Sequence, residues 1–239
     1  QNPIYFMFKF KQFSVKQAQS AMKIGTDSVL LGAWTPLNHP QSILDIGAGT
    51  GLLALMLAQR CDALTIDAVE IDEQAYIECS ENFEESPWGD RLFCYHASFE
   101  EFFTEMDESY DLIISNPPFY STDYKTPEKA RNTARFSDAL PSKQLLEGVS
   151  RLLAVEGYFS VILPYSESET FITLAATFGL FPQKITHTRG NEKSELKRSM
   201  MLFARKPLPS YPIHIFTIEK ERGVYTDEYK ELTKEFYLK

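Results

Sequence analysis

Leu44-Asp-Ile-Gly-Ala-Gly-Thr-Gly51 ends one apolar run, begun at residue 42, and opens another that continues to residue 59. It reads as a β-strand, a glycine turn and the start of a helix, the context that gives a Gly-x-Gly-x-Gly pattern meaning. Glycines at 47, 49 and 51 permit a tight turn and let a ligand approach backbone without meeting a Cβ. A dinucleotide fingerprint would want its third glycine at position 52, which is Leu, and no Gly-Lys-[Ser/Thr] occurs. Neither a pyrophosphate cradle nor a P-loop is indicated. The turn predicts a nucleoside cofactor. Glu70 ends the next strand, where an acidic side chain can accept both hydroxyls of a ribose, and Asp72 lies close enough to compete for that role.

Outward from this turn, strand patterns at 64–70, 92–96, 112–115 and 158–163 alternate with helix patterns at 73–83, 99–106, 145–153 and 168–178. Apolar runs at 183–187 and 200–204 suit a terminal antiparallel hairpin. The repetition predicts an α/β fold, a mostly parallel central sheet with helices on both faces. Residues 1–25 are basic and aromatic and alternate at 5–13 as a strand or extended arm. Thr26 or Asp27 is placed to cap a short helix reaching Trp34 and stopped by Pro36. Gly223-Val-Tyr-Thr226 reads as a turn before an amphipathic helix. The expectation is one domain over 1–239: an arm and helix at 1–40, a Rossmann-like core at 41–206 and an extension at 207–239 packed on it. The segment 120–141 is too long for a plain connector, which marks it as functional.

The apolar run Asp111-Leu-Ile-Ile-Ser115 stops at Asn116-Pro-Pro-Phe119. Two prolines cannot continue a central strand. The Asn116 side chain and the Pro117 carbonyl are therefore left at a strand's carboxyl end, where ligands of open α/β sheets sit. A planar amine there meets two acceptors and the aromatic face of Phe119. Methylating an exocyclic amine is difficult because its lone pair is delocalised. Accepting both N–H bonds lets charge grow on nitrogen as the methyl arrives, which stabilises the transition state selectively. Stacking on Phe119 adds ~1–3 kcal/mol for a base. No base is needed beforehand, since the proton can leave after transfer. The two motifs together predict methylation of an exocyclic nitrogen.

Composition bounds this reading. With 44% hydrophobic and 13% aromatic residues the chain can fill a core, which excludes disorder. No run of about 18 apolar residues exists, so no membrane span is expected. The start, Gln1-Asn-Pro-Ile-Tyr-Phe, does not read as a signal peptide. Cys61, Cys79 and Cys94 are odd in number without Cys-x-x-Cys, and His39, His96, His187 and His214 lack metal-ligand spacing. A cytoplasmic monomer without metal is expected. The net charge of −9 argues against a polyanion as partner until it is mapped. Residues 67–111 hold 15 Asp or Glu against Arg91 alone, whereas 125–143 hold five basic to two acidic and 184–206 seven to two. Local field, not net charge, steers a polyanion. Arg131 and Arg135, in the long segment after the Asn-Pro-Pro-Phe motif, are placed to flank the amine pocket. With Lys9, Lys11, Lys16 and the 184–206 run they would form a positive rim facing away from the acidic half.

Asp45-Ile-Gly-Ala-Gly-Thr-Gly51, Val69-Glu-Ile-Asp72 and Asn116-Pro-Pro-Phe119 together resemble the class I S-adenosylmethionine-dependent methyltransferases acting on amino nitrogens. Within them, Met22-Lys-Ile-Gly-Thr-Asp27, Leu30-Leu-Gly-Ala-Trp34 and the terminal Phe236-Tyr-Leu-Lys239 are similar to the bacterial tRNA(Val) (adenine-N6)-methyltransferase family, over nearly the whole chain. The resemblance implies S-adenosyl-L-methionine as cofactor and structured RNA, a tRNA, as partner. It implies that Asp45, Gly47, Gly49 and Gly51 line the cofactor and that Glu70, with Ile71 beside it, holds the ribose. Thr26 and Asp27 would lie near the methionine end, and Ser98 and Phe99 beside the adenine, where related enzymes often have Asp at the Ser98 position. Asn116, Pro117 and Phe119 would act on the amine, and the target adenine would have to leave its stack. Two other enzymes fit the amine motif: a protein glutamine-amide methyltransferase and an rRNA guanine-N2 methyltransferase. A non-catalytic RNA-binding module would be expected to lose Asn116, Glu70 or the glycines, and all are present.

Overall fold

The computed structural model describes residues 7–18, 24–118 and 141–238. All but one of its five parallel strands are apolar toward both sides, as strands covered on both faces must be; the edge strand at 92–96 leaves Phe93 and Tyr95 exposed. In order the strands are β3 (Ser42–Ile46), β4 (Thr65–Glu70), β5 (Leu92–His96), β6 (Tyr110–Ser115) and β7 (Leu153–Pro164). Along them side chains alternate between two apolar clusters, as the strand period requires. Ile43, Leu112, Ile114 and Ile162 enter one cluster, while Leu44, Ile113, Phe159, Val161 and Leu163 enter the other. The helices α1 (Thr26–Trp34), α2 (Leu52–Arg60) and α3 (Glu73–Glu84) cover the first face. The other is covered by α4 (Phe99–Glu105), α5 (Ser142–Leu152) and α6 (Ser168–Thr177).

After α6 come β8 (Phe181–Arg189), β9 (Leu196–Ala204) and β10 (Ile213–Thr217), and the eight strands lie in the order β10-β8-β9-β7-β6-β3-β4-β5. Strands β3 to β7 pair in parallel, and β8 and β9 form the antiparallel hairpin. From β3 the chain moves outward through β4 and β5, then returns to lay β6 on the other side of β3. That reversal is a topological switch point, where a crevice opens at the carboxyl ends of the strands. The glycine turn leaves β3 and Asn116 leaves β6, so both motifs reach the same crevice.

The structure adds four features to the sequence reading and corrects one expectation about its elements. Residues 7–16 form a hairpin of β1 (Met7–Lys9) and β2 (Ser14–Lys16) rather than one extended arm. Strand β7 starts at Leu153, directly after α5, because Tyr110 pairs with Leu153 ahead of a register shift. Strand β10 joins the sheet parallel to β8, and β11 (Glu219–Glu221) and β12 (Val224–Tyr225) form a small hairpin. That hairpin leads into α7 (Asp227–Thr233), capped by Thr226 accepting from Tyr229 N. The correction concerns α1. Gly25 is its N-cap and no side chain caps it, so neither Thr26 nor Asp27 has the capping role the sequence suggested. Instead Asp27 accepts a 2.7 Å hydrogen bond from Arg198 Nε of β9, an ion pair between full charges.

Candidate active site

Parallel register brings the two motifs together. Ile46 of β3 pairs with Ser115 of β6, the residues just before Gly47 and Asn116. Ser115, fully buried, fixes this join by donating its hydroxyl to the Ile46 carbonyl at 2.8 Å. Past the join the glycines take φ values of +69°, +56° and +81° at 47, 49 and 51, which L side chains rarely adopt. A Cβ at 47 or 49 would face open space, whereas one at 51 would lie 2.5 Å from the Phe83 ring and 2.8 Å from Cys79 Sγ. The first two glycines thus leave a cradle open to a ligand. The third lets the turn sit on α3.

Glu70 governs the turn. Its Oε2 accepts from Gly49 N at 2.7 Å and its Oε1 from Asp72 N at 2.9 Å, with the residue 8% exposed. Asp72 is the N-cap of α3, its Oδ1 accepting from Ala75 N at 2.9 Å. Beneath the turn Asp45 is fully buried; Oδ2 accepts from Ala54 N at 3.2 Å, while Oδ1 finds no partner among the described residues. Burial raises its pKa from the usual 3.8 to about 7, the Ala54 amide offsetting part of this and the Glu70 charge adding to it. An orphaned buried acceptor under a glycine cradle is what a ligand's donor would complete. Ile71, nearly half exposed, and Ser98 lie on the same side of the sheet, at the ends of β4 and β5.

Ser98 and Phe99 are placed differently from one another. Ser98 is the N-cap of α4 in a capping box, its hydroxyl donating to Glu101 Oε2 at 2.7 Å and accepting from Glu101 N at 3.2 Å. These bonds hold the Glu101 carboxyl below its usual range. Phe99 turns its ring into the core against Phe103 and is 6% exposed, so a ligand beside it meets backbone.

At the amine motif, Asn116 is partly exposed and Pro117 buried. Asn116 Nδ2 donates to Ser28 Oγ of α1 at 2.8 Å. In this arrangement Ser28 Oγ accepts from the amide nitrogen, and Oδ1 has no partner among the described residues. Sequence reasoning missed Ser28, Ser115 and Asn82, whose Nδ2 donates to Thr50 O at 2.9 Å. Ser28 follows the Thr26-Asp27 pair, and Ser115 precedes Asn116, but no spacing announces contacts that only folding makes. Phe119, Arg131 and Arg135 lie outside the described residues.

The positive rim needs revision. Lys16 reaches Glu85 at 2.5 Å and Glu81 at 3.2 Å, both in the acidic segment that was to face away from it. The 184–206 run is divided by strand register. Pro164, the last residue of β7, pairs with Arg198, and Thr188 does too, so the tip cations lie at the carboxyl rim with Asn116. Arg205 lies at the other rim, donating to the Ser150 and Leu153 carbonyls at 2.6 and 2.7 Å where α5 ends. Lys184 sits 4.9 Å over the Trp34 ring. Thr26 and Asp27 are brought to a cleft with the hairpin tip. Among the described residues no helix is long and apolar enough to cross a membrane, and no group of His, Cys, Asp or Glu is placed to hold a metal ion.

The family described as Methyltransferase small domain matches residues 13–140. A tRNA1(Val) (adenine(37)-N6)-methyltransferase of Flavobacterium psychrophilum is 58% identical over 234 residues, 98% of this chain and 100% of that protein. Its namesakes in Bacteroides fragilis and Photorhabdus laumondii are 44% and 41% identical, each covering 97% of this chain and 98% and 95% of their own length. Among solved structures, a predicted O-methyltransferase from Agrobacterium tumefaciens superposes with a TM-score of 0.67 at 16% identity, covering 88% of this chain and 96% of that one. A ribosomal protein L11 methylase from Lactobacillus delbrueckii gives 0.53 at 16% identity, covering 75% and 77%. These likenesses carry the class I methyltransferase fold.

Proposed function

The chain belongs to the family of tRNA1(Val) (adenine(37)-N6)-methyltransferases, and from that premise we propose how its own residues methylate adenine N6 in tRNA. The observation that carries the reading is the meeting of the glycine turn and Asn116 across the Ile46–Ser115 join. S-adenosyl-L-methionine, when bound, supplies an electrophilic methyl group. The residues present fit it. Gly47 and Gly49 leave room for it, the Glu70 carboxylate stands beside the turn to accept ribose hydroxyls, and the free Oδ1 of Asp45 awaits a donor. Glu70 suits the ribose better than Asp72 because Gly49 N holds its carboxylate at the glycine turn, whereas the Asp72 carboxylate is held at the start of α3. Ile71 offers an apolar edge, Ser98 and Phe99 border the adenine, and Thr26 and Asp27 lie at the first turn of α1.

The target base is turned out of its stack into the crevice. There Asn116 Oδ1 and the Pro117 carbonyl accept the two N6 hydrogens, and Phe119 supports the ring. With Ser28 Oγ accepting from Nδ2, the amide turns its acceptor toward the substrate. As positive charge develops on N6, both acceptors strengthen, an effect worth ~2.7–4 kcal/mol by analogy with deletion of one oxyanion-hole contact. The proton leaves N6 to solvent after transfer. Arg131 and Arg135 contribute phosphate contacts, which set affinity without choosing sequence.

The experiment is incubation with labelled S-adenosylmethionine and separate tRNA, rRNA and protein fractions, followed by nucleoside and amino-acid analysis. N6-methyladenosine in tRNA is expected. Label appearing instead in glutamine or in guanine N2 refutes the reading.

A further inference from the structure

Beside α1 lies a cleft of ≈ 300 Å³, and of its lining the chemistry above uses only Thr26 and Asp27. One wall is the first turn of α1, at Thr26 and Asp27; the others are the tip of the β8–β9 hairpin and Tyr225 and Tyr229 near the C-terminus. Resting on the proposed tRNA methylation, we infer that this cleft seats a nucleotide of the RNA strand adjacent to the one entering the Asn116 site.

Position supports this first. Asp27 lines the cleft and the next residue, Ser28, holds Asn116, so a single helical turn separates the two places. Charge supports it second. Arg198 and Asp27 neutralise each other at 2.7 Å. Arg189 is braced by Thr217 Oγ1 at 2.9 Å and the Glu192 carbonyl at 3.0 Å, and its Nη2 has no partner among the described residues. Lys197 is exposed and has no ion pair among the described residues, and Glu219 is the other acid in the lining. Two available cations against one carboxylate suit one phosphate. Stacking supports it third. Tyr225 lies on the buried Tyr229 with centroids 4.6 Å apart and planes 19° apart, and remains 43% exposed. One Tyr225 face is thus braced and the other is presented, the arrangement that unpaired bases stack upon.

The test measures binding of an anticodon-arm RNA and of tRNA between about 50 and 200 mM salt, and methylation kinetics, for wild type, Lys197→Glu, Tyr225→Ala and Lys206→Glu. Lys206→Glu makes the same charge change at the other rim of the sheet. Strand β9 spans nine residues, about 30 Å at ~3.3 Å per residue, well beyond the ~8 Å screening length at physiological salt. Lys197→Glu should lower the slope of log affinity against log salt by about one and raise KM for tRNA at least ~5-fold. Tyr225→Ala should weaken binding at least ~5-fold with the salt slope unchanged, the mark of a stacking loss. Lys206→Glu should do neither. Equal effects of Lys197→Glu and Lys206→Glu, or wild-type affinity and slope in both cleft variants, overturn the cleft. If wild type binds RNA through the cleft yet puts no label in adenine, the methylation reading fails and the cleft stands; if it binds no RNA, both fail.

Discussion

Ser28→Ala isolates the bond that orients Asn116. The 2.8 Å contact from Asn116 Nδ2 to Ser28 Oγ is a neutral, partly buried hydrogen bond, worth ~0.5–1.5 kcal/mol net. Its loss has a second effect. An amide is nearly symmetric in shape, so without Ser28 its oxygen and nitrogen ends exchange, and the flipped amide turns N–H donors toward the donors of the substrate amine. Halving the competent population costs a further ~0.4 kcal/mol. At ~1.4 kcal/mol per tenfold, the methyl-transfer step should slow roughly 4- to 23-fold. Asn116→Ala, which removes the acceptor itself, should slow it roughly 10²- to 10³-fold. Stability should hardly move. Ser28 sits in the first turn of α1, where Ala is the better helix former by about 0.5 kcal/mol, offsetting the lost bond. The assay is single-turnover methylation at saturating tRNA and cofactor, with Ser28→Thr as the rescue that keeps the hydroxyl. If Ser28 acts only through Asn116, Ser28→Ala added to Asn116→Ala should slow the reaction no further. A Ser28→Ala rate within twofold of wild type, or the same proportional loss in both backgrounds, would refute the reasoning.

Two further outcomes follow from the cofactor turn. The folded pKa of Asp45 is raised to about 7 from 3.8, so across that interval the folded chain keeps a proton that the unfolded chain has released. Stability should therefore fall as pH rises through this window, by up to ~4 kcal/mol, and be flat in this respect below it. Urea unfolding at pH 5 and pH 8 should show Asp45→Asn gaining on wild type at the higher pH; a difference independent of pH removes the argument. Gly51→Ala meets both a φ of +81° and the Phe83 and Cys79 side chains, and should cost ~2–5 kcal/mol. Gly47→Ala meets the backbone cost alone, ~1–2 kcal/mol, and the denaturation midpoints should keep that order.

The amino-acid sequence by itself determined the elements that local patterns encode. Strands β3 and β5 begin and end where their apolar runs do, and α2 begins at Leu52 because the glycines before it break the strand. The Asn-Pro-Pro stop shows where β6 must end. Folding supplied what depends on distant partners. Strand β10 is five residues with three of them exposed, too weak a pattern to announce itself, and it exists because β8 offers a free edge. Lys16 reads as one more cation of a basic arm, but the β1–β2 hairpin delivers it to Glu81 and Glu85. Asp27 looks like a cap, yet Arg198, 171 residues away, claims it. Ser28 shows the limit most plainly. A serine in a helix has many uses, and only a partner 88 residues away makes it the one that orients Asn116. Periodicity and backbone stereochemistry act within a few residues and can be read along the chain. Side-chain hydrogen bonds and ion pairs are chosen by proximity in space, which exists only once the sheet has fixed its register.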